Sequence, residues 1–242
     1  MDRELRIPAR FCGPPGAANG GYLAGRLAAL VGGDVEVTLR HATPLDRPVR
    51  LRWVSGGVDL WDGDRVLAEA RDVAFTTEPP PPVSMEQAVV AATAFPRFVN
   101  HPIPRCFACG PERAPGDGLR IFPGPISGRD AMYAAPWTTD ASLADESGRV
   151  AAEFLWAALD CAGAFAVNEP PRGLALLGRM AAKIERAVRA GDQLVVVAWP
   201  IGLADRRLVA GTAIYRGDGI VCAVARSTWV LTRQPAQLGQ SP

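Results

Sequence analysis

Two stretches of alternating apolar and polar residues share one plan. In Val58-Asp59-Leu60-Trp61-Asp62-Gly63-Asp64-Arg65-Val66-Leu67-Ala68-Glu69-Ala70-Arg71, two such runs flank a Gly-Asp pair suited to a tight reversal. The pattern predicts a β-hairpin. Thr212–Arg226 repeats it, with Gly217-Asp218 at the turn. Both stretches close on Ala-x-Ala-Arg, and each is followed by one more apolar, aromatic-containing run, Val73–Thr77 and Ser227–Leu231.

Upstream, each half carries a further alternating pair. These are Val35–Leu39 with Val49–Val54, and Met180–Ile184 with Gln193–Trp199. Before each pair lies a segment of helical period. Gly20–Val31 places Tyr22, Leu23, Leu27 and Leu30 on one stripe, and Glu153–Val167 does the same with Phe154, Leu155, Ala158, Leu159 and Ala162. Each half therefore reads as a short strand, a mostly apolar helix and a meander of about four strands. A helix so apolar should be wrapped by the sheet. The predicted organisation is a first repeat over 1–78, a linker over 79–116, a second repeat over 117–233 and a tail over 234–242. Within the linker, Ser84 followed three residues later by Gln87 has capping-box spacing and predicts a short helix to about Ala94. Residues 95–118, rich in Pro, Gly and Cys, read as an irregular crossover.

A strand, a long helix and an antiparallel sheet curled around it resemble the hot-dog fold, and the local sequences resemble its acyl-CoA thioesterases. The fold class this implies is α+β, a double hot-dog forming a pseudo-dimer within one chain. In the phenylacetyl-CoA thioesterase-like branch the helix starts with His-Gly-Gly, and an acid follows nine positions after that His. Asn19-Gly20-Gly21 stands where the triplet belongs, but nine positions on is Ala28. In the second half Asp160 stands in the acid's place, while nine positions back is Ala151, followed by Ala152 and Glu153 instead of glycines. Each copy keeps what the other lacks. Eight residues of helix span ~12 Å, so one carbonyl cannot touch both ends of a single helix. Antiparallel helices would join Asn19-Gly20-Gly21 to Asp160 in one composite site and leave a dead pseudo-site opposite.

The roles implied are acyl-thioester hydrolysis with Asp160, Gly21 and Asn19 catalytic. Gly20, Tyr22 and Trp156 are expected to line the substrate. The Gly21 N–H, at the positive end of a helix, would face the thioester oxygen. Asn19 would cap the helix or donate a second bond, and Asp160 would activate water or attack directly. A salt bridge from Arg179 or Arg186 is the plainer explanation for Asp160. No metal and no redox cofactor are expected, coenzyme A entering only as part of the substrate. A non-catalytic acyl-CoA- or lipid-binding protein of the same fold is the alternative. A hydratase is disfavoured, because that branch uses an Asp/His pair and neither His41 nor His101 has a fitting spacing.

Composition narrows the picture. With 26 basic and 25 acidic residues interspersed, the net charge of +1 gives no surface for nucleic acid. Lys183 is the only lysine, so Schiff-base chemistry would rest on one strand residue. No run of ~18 apolar residues or signal core occurs, which predicts a cytoplasmic protein without membrane insertion. Pairing of two chains is left open. Five cysteines fit free thiols of a reducing compartment. Cys106-Phe107-Ala108-Cys109 is a lone CxxC with His101 five residues earlier, short of the four ligands of structural zinc unless the fold brings Cys12 there. It reads as a linker turn, and Cys161 as a small buried thiol.

Overall fold

The alternation that predicts hairpins sorts side chains by face. Val58, Leu60, Ala68 and Ala70 in the first half, and Ala213, Ala223 and Ala225 in the second, are fully buried. The computed structural model describes residues 3–169, 171–204 and 207–232; the tail 234–242 and Arg233 lie outside them. The first half runs β1 (Arg3–Arg6), α1 (Gly20–Val31), β2 (Val35–Leu39), β3 (Pro48–Val54), β4 (Gly57–Asp62) and β5 (Arg65–Asp72). The crossover carries α2 (Met85–Thr93). The second half follows with β6 (Gly124–Pro125), β7 (Tyr133–Thr138), α3 (Ala152–Ala158), α4 (Cys161–Val167), β8 (Ala175–Ile184), β9 (Gln193–Ala204), β10 (Arg207–Arg216) and β11 (Val221–Leu231).

All strands join one antiparallel sheet in the order β1-β3-β4-β5-β2-β8-β11-β10-β9-β7-β6. Read outward from the centre, β2-β5-β4-β3-β1 is mirrored by β8-β11-β10-β9-β7, the same connectivity used twice. The seam is β2 against β8, from Val35 opposite Ala182 to Thr38 opposite Arg179. Joining the halves here removes two exposed edges. This is the arrangement expected of two hot-dog repeats sharing a sheet. Among the described residues no helix is long and apolar enough to cross a membrane.

Helices α1 and α3 pack against each other and on the sheet, α1 over β2, β4, β5 and β8 and α3 over β8. Both predicted helices start in register, with Asn19 and Ala151 at the N-caps. The expected single helix over Glu153–Val167 is instead two, interrupted at Leu159-Asp160. The capping box forms as spaced, with Ser84 Oγ accepting from Gln87 N and Ser84 N donating to Gln87 Oε1, each at 3.1 Å. Its helix covers the outer face of the sheet through Ala88 and Ala91, packed with Ala134, Val195 and Val197. The two runs after the hairpins part company. Ser227–Leu231 continues β11, whereas Val73–Thr77 leaves the sheet at Asp72.

Candidate active site

Asn19 begins the site because it caps α1. Its backbone is extended, its own N–H donates to Phe11 O at 2.8 Å, and Oδ1 accepts from Tyr22 N at 2.8 Å. The next turn must be small. A Cβ on Gly21 would lie 2.6 Å from Trp156 O and 2.7 Å from Asp160 Cβ, and one on Gly25 would lie 2.5 Å from Glu153 Cα. Two glycines one turn apart thus let α1 and α3 touch backbone to backbone.

The interruption at Leu159-Asp160 supplies the other part. Thr212, fully buried on β10, donates its hydroxyl to Leu159 O at 2.8 Å, giving that carbonyl a partner outside the helix. Asp160 adopts ψ −87°, and α4 restarts after it. Its side chain caps nothing on its own helix and crosses to the first half instead. Oδ2 accepts from Gly21 N at 2.9 Å and from Asn19 Nδ2 at 2.8 Å. Oδ1 is buried with no partner among the described residues. Asp160 is 3% exposed and Asn19 2%. Burial, with charge on neighbouring Cys106 adding to it, pushes the Asp160 carboxyl up to about 7, against the opposing pull of the Gly21 N–H and the Asn19 amide.

Asn19, Gly21 and Asp160 therefore meet, as the split motif predicts. Their roles differ from the expectation in one respect. The Gly21 N–H is engaged by Asp160, so the amide at the helix tip without a partner among the described residues is that of Gly20. Gly20 is half-buried beside Leu39 and Leu177, whose methyls lie 3.0 and 2.9 Å from where its Cβ would stand. Tyr22 and Trp156, expected against the substrate, sit in packing: both are buried, with the Tyr22 ring stacked at 4.1 Å on Phe11 and Trp156 against Gly25. The alternative salt bridge is not seen at Asp160 among the described residues: Arg179 pairs with Glu36 at 3.3 Å, and Arg186 Nη1 donates to Glu185 O at 3.4 Å. On the opposite side, Glu153 faces Arg26 at 3.9 Å and Ala28 carries no acid.

The cysteines depart from the sequence reading. Cys106 and Cys109 are buried, and their sulfurs lie with that of Cys161 within 4.8 Å of one another. Cys106 Sγ is 3.6 Å from Cys161 Sγ and 3.7 Å from Asn19 Nδ2. Hydrogen bonds from the Cys109 and Cys161 thiols, and from the Ala108 and Cys109 peptide N–H groups, hold the Cys106 thiol well below its usual range. Cys12 stands apart, accepting from Arg113 Nη2 at 2.9 Å. His101 lies among Phe95 and Phe165, its Nδ1 accepting from Ile103 N at 3.0 Å. The CxxC was the signal for this cluster. Its third member needed the fold.

No family model matches the sequence, and no curated protein matches it either. Solved structures do. One, from Novosphingobium aromaticivorans and assigned as a thioesterase, is 15% identical and superposes with a TM-score of 0.61, covering 95% of this chain and 94% of that one. A conserved protein of unknown function with a hot-dog fold, from Alicyclobacillus acidocaldarius, is 13% identical with a TM-score of 0.60, over 96% and 93%. The tesB protein of Mycobacterium avium subs paratuberculosis is 13% identical with a TM-score of 0.58, over 94% and 91%. With matches that span nearly the whole chain and a sheet that repeats one strand order about its centre, the protein has the hot-dog fold.

Proposed function

We propose that the chain hydrolyses an acyl thioester, an acyl-CoA or a related one, at a single composite site. One observation carries this reading. A buried carboxylate from the second half is held through one oxygen by Gly21 N–H and Asn19 Nδ2 of the first half, and its other oxygen has no partner among the described residues. A buried carboxylate in that state is costly unless it has a task. The thioesterase names of solved relatives bear on the substrate class only through the shared fold.

In this reading Asn19 and Gly21 orient Asp160, and Oδ1 takes a proton from water as the water oxygen attacks the thioester carbonyl carbon. The carbonyl oxygen gains the negative charge and turns to the Gly20 N–H at the positive end of α1, a contribution typically worth ~3 kcal/mol. The C–S bond then breaks, and the thiolate leaves with the proton returned from Asp160. No step needs a redox cofactor.

A thiol-release assay over a panel of acyl-CoAs tests the proposal. Turnover of at least one member, lost in Asp160→Asn while the fold is kept, is the expected result. Saturable acyl-CoA binding without turnover by the native chain would overturn it in favour of a non-catalytic acyl-CoA-binding protein.

A further inference from the structure

We propose that Cys106, Cys109 and Cys161 bind one zinc ion. Zinc–sulfur bonds of ~2.3 Å in a tetrahedron set neighbouring sulfurs roughly 3.8 Å apart. Cys106 and Cys161 are at 3.6 Å, and all three sulfurs lie within 4.8 Å of one another. Three thiolates with no carboxylate or imidazole among the described residues in the set suit a thiophilic cation of this kind.

The surroundings are built for ligands rather than for inert thiols. Gly110 N donates to Cys106 O at 2.9 Å, closing a turn that returns Cys109 to Cys106. A Cβ on Gly110 would lie 2.6 Å from Cys106 N and Cys106 O, so the turn tolerates only glycine there. The Asn19 amide faces the Cys106 sulfur at 3.7 Å, and the Ala108 and Cys109 N–H groups face it as well. Such donors steady a metal-bound thiolate from outside the coordination sphere.

The three ligands also come from segments that need joining. Cys106 and Cys109 belong to the part of the crossover after α2, residues 94–123, which has no helix or strand, yet Phe107 and Ala108 between them are buried. Cys161 opens α4, one residue after Asp160. A cation here staples the crossover to the helix start beside the composite site. Binding expels the thiol protons, so the ion couples its own affinity to the fold. This inference stands whether or not the chain is a hydrolase.

The full chain, purified under reducing conditions without added metal, is expected to carry one zinc per chain by elemental analysis. Exchange for Co2+ should give a thiolate-to-cobalt charge-transfer band in the near ultraviolet, with visible bands of tetrahedral intensity. Cys161→Ser should fall from one ion per chain to none with its circular dichroism unchanged, and Cys222→Ser should keep the ion. A native chain that is metal-free and gives no such band with Co2+ overturns the proposal. So does a folded Cys161→Ser with the native cobalt spectrum, or a native Cys106–Cys161 disulfide. The native-chain measurements need no variant, so misfolding of Cys161→Ser leaves the test decisive.

Discussion

The peptide N–H of Gly21 lies 2.9 Å from Oδ2 of Asp160, a residue 139 positions further along the chain. That contact joins the start of a helix in one half to the break of a helix in the other. It fixes which oxygen of the carboxylate is committed to structure and which is available for chemistry.

Asp160→Asn should therefore lower thioester turnover by roughly 10²–10⁴-fold, the usual range for removing a general base. The amide keeps an oxygen for Gly21 N–H and Asn19 Nδ2, so the melting temperature should not fall. Turnover within a few-fold of the native chain would take Asp160 out of the proposed reaction.

Gly21→Ala tests the close approach of the helices. The new methyl would meet backbone at Trp156 O, which has no flexible end to move aside. Destabilisation of about 1–3 kcal/mol is expected from such overpacking, read as a lower midpoint in urea. Turnover should fall too, since α1 must shift away from Asp160. Unchanged stability would mean that the helices are less closely apposed than described.

Thr212→Val keeps the shape and removes the donor to Leu159 O. A buried carbonyl left without its partner costs about 1–3 kcal/mol. Because this bond accompanies the break before Asp160, activity should drop more than the lost stability alone explains. Denaturation and kinetics on the same preparation separate the two effects. Activity that tracks only the folded fraction would deny Thr212 a positioning role.

Tyr215 gives a pH test away from the site. It is buried, its hydroxyl donates to Pro80 O, and burial pushes its pKa up to about 12. The folded chain thus holds a proton that the unfolded chain releases near 10. Stability from this group is fully present below pH ~10 and declines as pH rises towards 12, by on the order of 2–3 kcal/mol. Tyr215→Phe should flatten that alkaline decline relative to the native chain. An identical decline in both would assign it elsewhere.

Much of this architecture was legible because it is local. The Gly63-Asp64 and Gly217-Asp218 turns, the Asn19 cap and the Ser84–Gln87 box each depend on residues a few positions apart, and all form. The meeting of Asn19 and Gly21 with Asp160 was also legible, through two half-motifs in a repeat. What could not be read depends on distant partners. Glu153–Val167 keeps one helical period throughout, and its break goes with the hydroxyl of Thr212 on another strand. Cys161 joins Cys106 only because an irregular crossover passes α4. Val73–Thr77 resembles Ser227–Leu231, yet β2 begins at Val35 opposite Asp72, and after one further bond from Val73 N to Asp34 O at 3.0 Å the ladder ends.

The mirrored strand order about the β2–β8 seam has a consequence for how such a protein can change. In a pair of identical chains, every substitution is made twice, and a lost helix-tip glycine damages both catalytic sites at once. Here the two copies are written separately in one polypeptide. On the proposed reading, Ala28 and Glu153 are free to drift on one side while Gly21 and Asp160 stay fixed on the other, and the side without the paired motif becomes free to specialise.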